Sequence, residues 1–411
     1  MNLPTEKKTT PWIEEIHTLS AKYHEDWIAL RRYLHQHPEL SGEETLTTNE
    51  LKSRLCALQL PVRLAGDSRG LTADLVTDSS LADEPRLAIR GDIDGLPIQD
   101  EKMVPYRSCK AGVMHACGHD VHATVVVAAM QILKEMDKSG TLPWPIAVRA
   151  VLQPAEEISE GALHMIHHKA LSDVDAIIAL HVDPTRQVGC IGIREGALTA
   201  ACDQFEIQIQ GQGGHGARPH LAKDPIEACV SLIEALYRRI NRAIDPHHTV
   251  VISIGTVQAG HSANVIPDTA TASGTLRTLH PSARRKALET IDVICESVKQ
   301  EFGIDVRLKW GTTAPAVIND KKLVGLIHDA IVDTLNPGAV EWIDVPSMGS
   351  EDFSFYLEHV PGAMFRLGVS GSQVGAAPLH TGTFDIDEQA IAHAAKLFAS
   401  TAIRYFDPAR R

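Results

Sequence analysis

Residues 114–136 read MHACGHDVHATVVVAAMQILKEM, a polar turn that leads directly into an apolar run long enough to form a buried helix. Short apolar strands are predicted around it, over Arg86–Arg90, Ile146–Leu152 and Val174–Leu180. Strands that alternate with helices are typical of a sheet covered by helices on both faces. The sequence therefore predicts an α/β fold with a mixed sheet flanked by helices.

The pattern changes near residue 200, where apolar and polar residues begin to alternate. From there the spacing predicts the order β-α-β-β-α-β, which is typical of a ferredoxin-like unit with an antiparallel sheet and helices on one face. The α/β pattern resumes near residue 312. We therefore predict a discontinuous domain over residues 1–199 and 313–411, interrupted by an inserted ferredoxin-like α+β domain over residues 200–312.

Length and composition narrow the class of protein. A chain of 411 residues is expected to form two domains, and its 44% apolar residues can fill two cores. The net charge of −13, without a basic patch, argues against a nucleic-acid partner. No secretory signal pattern is visible, and the apolar stretch Val125–Met130 is far too short to span a membrane. Seven scattered cysteines favour a reducing compartment, so a cytoplasmic protein without a membrane partner is expected.

Polar residues that can carry chemistry follow the predicted strands. Arg90–Asp94 follows the first of them, Gln153–Glu157 follows the second, and His181 ends the third. Ligand sites in open α/β sheets collect at the carboxyl ends of strands, so these segments are expected to lie together. Cys117 and His119 precede the buried helix, in a glycine-containing turn that lets a thiolate and an imidazole face one ion.

The individual roles of these residues stay open at this point. Of the adjacent residues Glu156 and Glu157, one can bind a metal ion while the other accepts a proton from a water molecule. His181, in an apolar segment, and His380, in a loop, are each as compatible with a structural role. The thiol, imidazole and carboxylate groups together suit zinc, manganese, cobalt or nickel better than calcium or magnesium. Cys117 with a histidine also fits the nucleophile and base of a cysteine hydrolase.

Eight motifs occur in order along the chain, and together they are far more specific than any one alone. They are RGDIDGLP (90–97), MHACGHDVH (114–122), QPAEE (153–157), GGHGARPH (213–220), NVIP (264–267), GTLRT (274–278), GSEDF (349–353) and LHTGT (379–383). With these motifs the chain resembles the M20 metallopeptidase family, and within it the branch of aminoacylases, hippurate hydrolases and auxin-conjugate hydrolases.

The resemblance implies a catalytic domain that binds two divalent metal ions, with zinc or manganese expected first and cobalt or nickel next. Glu156 would be the general base and later the proton donor. Acidic residues near the site are expected to orient the ligands, and Asp92 and Asp94 would do so in preference to binding metal themselves. The implied ligands are Cys117, His119, Glu157, His181 and His380. Beside them, Asp92, Asp94 and Asp120 are expected to orient the ligands.

The inserted domain would act as a lid and as a possible dimerisation domain. In similar enzymes a histidine that matches His215 meets the substrate near the scissile carbonyl. Asn264 and Arg277 resemble the residues that contact the substrate carboxylate. A planar guanidinium suits bidentate binding of a carboxylate.

The expected reaction is hydrolysis of the amide bond of small N-acyl-L-amino acids. A dipeptidase or carboxypeptidase on the same scaffold is the alternative within the enzyme class. Acyl substrates are preferred because the sequence shows no acidic partner for a free substrate amine. A binding protein without activity is a further alternative, although residues of the expected type are present at the position of the base and at all five ligand positions.

Overall fold

The computed structural model describes residues 10–81, 84–372 and 374–410, which divide into two compact units. The first unit holds the described residues up to Gly196, Ile318–Asp344, and the described residues from Phe355 onward. The second unit holds Ala197–Val317 and Val345–Ser354. The second unit therefore includes residues 345–354, which the predicted boundaries left in the first domain.

The first unit consists of helices and one large sheet. Its helices are α1 (Pro11–Gln36), α2 (Thr45–Ala57), α3 (His119–Ser139), α4 (Gly161–His167), α7 (Lys321–Thr334) and α8 (Gln389–Tyr405). Its sheet strands are β1 (Val62–Leu64), β2 (Leu71–Val76), β3 (Arg86–Asp92), β4 (Ala147–Gln153), β5 (Val174–Gln187), β6 (Ile191–Ile193), β15 (Val340–Trp342) and β16 (Gly362–Ser370). The short strands β7 (Gly196–Ala197) and β14 (Ile318–Asn319) lie at the chain crossings between the units.

The sheet of the first unit is mixed and has the order β1-β2-β4-β3-β5-β16-β6-β15. Four adjacent strands of this sheet are parallel to one another, in the order β4, β3, β5 and β16. Strand β2, on the other side of β4, is antiparallel to β4. In this register Asp92 of β3 lies opposite Gln153 of β4, and Arg90 lies opposite Ala179 of β5. The carboxyl ends of three neighbouring strands therefore meet at one edge, as the sequence predicted.

Helix α3 is the most deeply buried helix segment beside this sheet, since residues 119–130 are all buried. A helix that is apolar on every side belongs in the interior of a protein. Helix α3 packs against β3, α1 and α8, and the Trp27 indole of α1 donates a 2.8 Å hydrogen bond to Gln131 of α3. None of the helices among the described residues combines the length and the apolar character needed to cross a membrane.

The second unit is an antiparallel sheet with two helices. Its elements are β8 (Ala201–Gln210), β9 (Gly214–His215), α5 (Pro225–Ala243), β10 (Val250–Ala259), β11 (Val265–Ile266), β12 (Thr269–Thr278), α6 (Pro281–Phe302) and β13 (Asp305–Ala314). The main sheet has the order β10-β12-β8-β13, and each neighbouring pair is antiparallel. Alternate residues of β8 enter one core with α5 and α6, which explains the period of two. The predicted β-α-β-β-α-β topology is confirmed.

The short and outer strands of the first unit were not predicted. Strand β2 carries Thr72 and Asp74 among only six residues, so it lacks an apolar run such as Ala176–Leu180 of β5. Arg149 of β4 pairs with that carboxylate, with its Nε 2.7 Å from Asp74 Oδ1. A long-range ion pair of this kind leaves no local periodicity in the sequence.

Candidate metal centre

The predicted ligand positions of the first unit lie at the carboxyl edge of its parallel strands. Asp92 is the last residue of β3, and Glu156 and Glu157 follow the end of β4. The prediction that His181 ends its strand is wrong, because β5 continues to Gln187. The strand is longer because β16 keeps pairing with it beyond His181, as far as Gln187.

The turn before α3 is fixed by Gly118, which separates Cys117 from His119. Gly118 has φ +82°, a conformation that residues with a side chain rarely adopt. A Cβ atom at this position would lie 2.5 Å from a methyl carbon of Val182, the residue after His181. The backbone of the turn therefore approaches β5 closely, and this approach brings the thiol and imidazole groups to the carboxyl edge of the sheet.

The thiol of Cys117 lies between two histidines. Its Sγ atom is 3.4 Å from Nε2 of His181 and 3.3 Å from Nε2 of His380. His380 has φ +60°, and its backbone N–H donates to the carbonyl of Ala116 at 2.9 Å. A left-handed conformation at a residue other than glycine is strained and is often found at functional sites.

Hydrogen bonds determine which ring nitrogen of His119 and of His181 is left to bind an ion. His119 Nδ1 lies 2.9 Å from Asp94 Oδ1 and 3.0 Å from the Asp94 carbonyl oxygen, both of which are acceptors. His181 Nδ1 lies 2.8 Å from the carbonyl oxygen of Val182. Each Nδ1 is therefore the protonated donor, which leaves the Nε2 lone pair for an ion.

The two glutamates lie beside His119. Glu157 Oε1 is 3.8 Å from His119 Nε2 and 3.6 Å from His380 Nε2. Glu156 Oε2 is 3.9 Å from His119 Nε2. Asp94 holds this loop as well, since its Oδ2 accepts the backbone N–H of Glu157 at 3.0 Å.

The donor atoms form two groups that share Cys117. One group is Cys117 with His119 and His181, and the other is Cys117 with Glu157 and His380; within each group the donor atoms lie within 4.8 Å of one another. Two atoms of these groups, His119 Nε2 and Glu157 Oε1, are buried and have no hydrogen-bond partner among the described residues. Buried polar atoms without a partner are costly unless an ion or water meets them. The residues present therefore fit divalent metal ions.

Burial and neighbouring charges set the protonation of these donors. Burial raises the pKa of the Cys117 thiol far above its ordinary value, which outweighs the opposite effect of His119. Burial alone would lower the pKa of His119, but the carboxylates of Asp92 and Asp94 raise it well above its ordinary value. Burial also raises the pKa of Glu157. Metal ions therefore compete with protons here, and metal binding is expected to strengthen as pH rises.

His122 belongs to the motif at residues 114–122, and the structure places it between Asp92 and the backbone of Val182. Its Nε2 accepts the backbone N–H of Val182 at 3.0 Å, so its Nδ1 is the donor to Asp92 Oδ1 at 2.6 Å. The other oxygen of Asp92 accepts from Arg90 at 2.6 Å. Although Asp92, His119 and His122 lie close enough to hold an ion, both nitrogens of His122 are already engaged. The contacts of Asp92 support an orienting role.

Asp120 belongs to a neighbouring buried network that reaches α1. Its Oδ2 lies 2.8 Å from Nε of Arg31 and 2.7 Å from Nδ1 of His35. Asp120 therefore holds the first turn of α3, where His119 lies, against α1.

The predicted substrate-binding residues lie in the second unit. His215 of β9 pairs with Val265 of β11, and the N–H of Gly216 donates to the carbonyl of Asn264 at 2.9 Å, so His215 and Asn264 are neighbours. His215 Nδ1 accepts the N–H of Ala217 at 3.0 Å, which places the ring proton of the neutral imidazole on Nε2. Arg277 of β12 donates to the carbonyl of Met348 at 2.7 Å.

The comparison with protein families identifies the family of the chain. Residues 88–404 match the model for peptidase family M20/M25/M40. The chain belongs to this family. The Cys–His turn, the strand-end segments and the His380 loop all lie within the matched residues.

Relatives within the M20 family include amidohydrolases. The chain is 41% identical over 366 residues to the probable hydrolase sll0100 of Synechocystis sp., covering 89% of this chain and 91% of that protein. It is 36% identical to the N-acetyl-L-cysteine deacetylase of Bacillus subtilis (92% and 88% covered) and 31% identical to the hippurate hydrolase of Campylobacter jejuni (92% and 95% covered). These similarities place the chain in the amidohydrolase branch of the family.

A solved structure in the M20 family shows the same fold. The YxeP protein of Bacillus subtilis, described as a dinuclear metal-binding peptidase, matches with a TM-score of 0.80 and 33% identity. The match covers 94% of this chain and 99% of that chain. Together with the donor set, this makes the chain a metal-binding hydrolase of the M20 family.

Replacing Asp94 by Asn should weaken metal binding. The variant removes the negative charge and puts an NH₂ group either where Ser41 and the Glu157 N–H donate or where His119 donates, so Glu157 or His119 loses its acceptor. Loss of such an orienting partner typically weakens binding about 10–100-fold. Zinc affinity, measured by competition with a chelator at fixed pH, tests this. Asp183→Asn on β5, whose carboxylate contacts Thr185 and Arg186, is the control. Equal affinities for the two variants would contradict the orienting role of Asp94.

Cys117 should resist alkylation in the metal-free protein. The raised pKa leaves little thiolate at pH 8, and the side chain is buried. Iodoacetamide labelling followed by peptide mass spectrometry measures this, with the exposed Cys56 and Cys109 as internal references. A nucleophilic cysteine would instead be labelled faster than the exposed pair, and that result would revive the cysteine-hydrolase interpretation.

Proposed function

We propose that this protein hydrolyses the amide bond of N-acyl-L-amino acids with two divalent metal ions and a glutamate base. The observation that carries the proposal is the buried thiol of Cys117, which lies between His181 and His380 and belongs to both donor groups. One shared anionic sulfur is suited to two neighbouring cations. The adjacent glutamates then supply both a ligand and a base.

Each donor group would hold one ion. Cys117 with His119 and His181 would hold the first, and Cys117 with Glu157 and His380 the second. The bound ions would lower the pKa of a water molecule and polarise the substrate carbonyl. The mixed sulfur, nitrogen and oxygen donors favour zinc or manganese, with cobalt and nickel as alternatives.

Glu156 would move the proton. Its carboxylate is mostly buried at the edge of the donor set, where it can accept a proton from the attacking water. The same carboxyl group then donates that proton to the nitrogen of the leaving amino acid. Glu157 differs in environment, since Asp94 holds its backbone and its carboxylate lies near His380. This difference supports the assignment of base and ligand to adjacent residues.

Residues of the second unit would bind the substrate. The tautomer of His215 presents an N–H at Nε2, which suits donation to the negatively charged oxygen that develops at the carbonyl carbon. Arg277 would pair with the carboxylate of the amino acid, and Asn264 would donate to it. A homodimer through the second unit and a cytoplasmic location both stay predictions.

The acyl substrate class is supported by the named relatives. One is called an N-acetyl-L-cysteine deacetylase and another a hippurate hydrolase, and both names describe amides of an amino-acid nitrogen. The acyl groups in those names differ in size, so we propose the class rather than one compound. A dipeptidase would act on a substrate with a free amine.

Activity should depend on the metal and should favour acyl substrates over dipeptides. Purified protein is assayed with acetyl-, benzoyl- and indoleacetyl-amino acids and with dipeptides, before EDTA treatment, after it, and after zinc, manganese or cobalt is restored. Metal content is measured at each stage. We expect loss and metal-specific recovery on acyl substrates. Faster hydrolysis of dipeptides would replace the proposed substrate class, and full activity of protein shown to be metal-free would contradict the mechanism.

Replacing Glu156 by Gln should reduce kcat while leaving the metals bound. The amide cannot accept the water proton, and loss of a general base typically costs about 10²–10⁴-fold in rate. Metal content by mass spectrometry shows whether the ligands survive. Glu160→Gln, an exposed glutamate at the end of the same loop, is the control and should keep its activity. Normal turnover by the metal-loaded Glu156→Gln variant would exclude Glu156 as the base.

A further inference from the structure

The segment between α1 and α2 reaches the catalytic loop through Glu44. This residue is fully buried, and its Oε1 accepts the backbone N–H of Ala155 at 2.7 Å and that of Gly42 at 2.9 Å. Ala155 immediately precedes the proposed base. A buried side chain from a different part of the chain therefore contacts the backbone directly beside Glu156.

The loop that Glu44 contacts is strained. Ala155 has φ +54°, in the left-handed region, and its carbonyl accepts the N–H of Gly161 at 3.1 Å. A Cβ atom on Gly161 would lie 1.6 Å from the carbonyl oxygen of Pro154, so the turn closes tightly. Strained conformations of this kind persist only where the surroundings hold them in place.

Two carboxylates hold the backbone on both sides of Glu156. Glu44 accepts the N–H of Ala155 on one side, and Asp94 accepts the N–H of Glu157 at 3.0 Å on the other. Ser41, from the same segment as Glu44, donates to Asp94 at 2.7 Å. The peptide groups that flank the proposed base are thus fixed by one connected set of contacts.

We propose that Glu44 is a positioning residue for Glu156. Its carboxylate holds the Ala155 amide, keeps the left-handed turn closed and thereby aims the Glu156 side chain. The inference rests on the proposed function, in which Glu156 is the base. Small displacements of a catalytic group can cost about 10²-fold in rate, so one hydrogen bond to its backbone can matter.

Glu39 provides a matched control in the same segment. It is also buried, and its two oxygens accept backbone N–H groups from Leu46 and Thr47 at 3.2 and 2.7 Å. Those amides belong to the start of α2 rather than to the catalytic loop. Loss of Glu39 should therefore cost a similar number of buried hydrogen bonds without releasing Ala155.

The test compares Glu44→Ala, Glu44→Asp, Glu44→Gln and Glu39→Ala in the full-length, metal-loaded protein. Gln keeps the length and the accepting oxygen but removes the charge, whereas Asp keeps the charge but withdraws the oxygen by one methylene. If the role is positioning, the oxygen must reach the Ala155 amide. The kcat of Glu44→Gln should therefore stay within about fivefold of wild type, whereas the kcat of Glu44→Asp and of Glu44→Ala should fall at least about tenfold. KM and metal content should change less than about twofold in all four variants.

Hydrogen exchange gives a readout that does not depend on activity. The amides of residues 155–157 should exchange at least about tenfold faster in Glu44→Ala and Glu44→Asp than in Glu39→Ala or Glu44→Gln. If the protein hydrolyses no acyl substrate but this pattern holds, the contact is confirmed and the proposed function fails instead. Unchanged exchange in Glu44→Asp would overturn the proposal. An Asp variant more active than the Gln variant would also overturn it, because the charge would then matter rather than the reach.

Discussion

The centre depends on the carboxylate of Asp94, which joins three separate segments of the first unit. One oxygen accepts from His119, and the other accepts from Ser41 and from the backbone of Glu157. Burial would raise the pKa of this carboxyl group, but the hydrogen bond and charge of His119 outweigh it and lower the pKa. A buried anion is tolerated only when donors surround it, and the donors here are themselves parts of the site. Satisfying one buried charge therefore also positions His119 and Glu157, two of the proposed metal ligands.

The fold and the proposed ligands could be predicted largely because both follow from local patterns. The buried strands β3, β4 and β5 are visible as short apolar runs, and their carboxyl ends must meet once the strands are parallel. Cys117 and His119 could be linked to those ends because they lie in a glycine-containing turn that leads into an apolar helix. The sulfur, nitrogen and oxygen donors of the proposed ligands then restrict which metal ions are expected to bind. The roles of individual residues, which their spacing left open, were predicted from the resemblance that the ordered motifs carry.

Other features could not be read from the sequence because they depend on contacts between distant segments. Glu44 looks like an ordinary acidic residue near a helix start, and only the folded chain brings it to Ala155. His122 was part of a quoted motif, but its role depends on the backbone of Val182, which lies on another element. The continuation of β5 past His181 depends on β16, from the other end of the chain. Contacts between segments that are distant in the sequence produce no periodic pattern of apolar and polar residues in either segment.

The close approach of Gly118 to Val182 also has a consequence for substitutions at this contact. Trimming the valine to alanine would remove the methyl carbon that lies 2.5 Å from a Cβ at position 118. The left-handed backbone at 118 would still disfavour a side chain, so that substitution removes only the steric half of the barrier. Shortening residue 182 alone therefore does not make position 118 suitable for a side chain, because the backbone there would still have to stay left-handed.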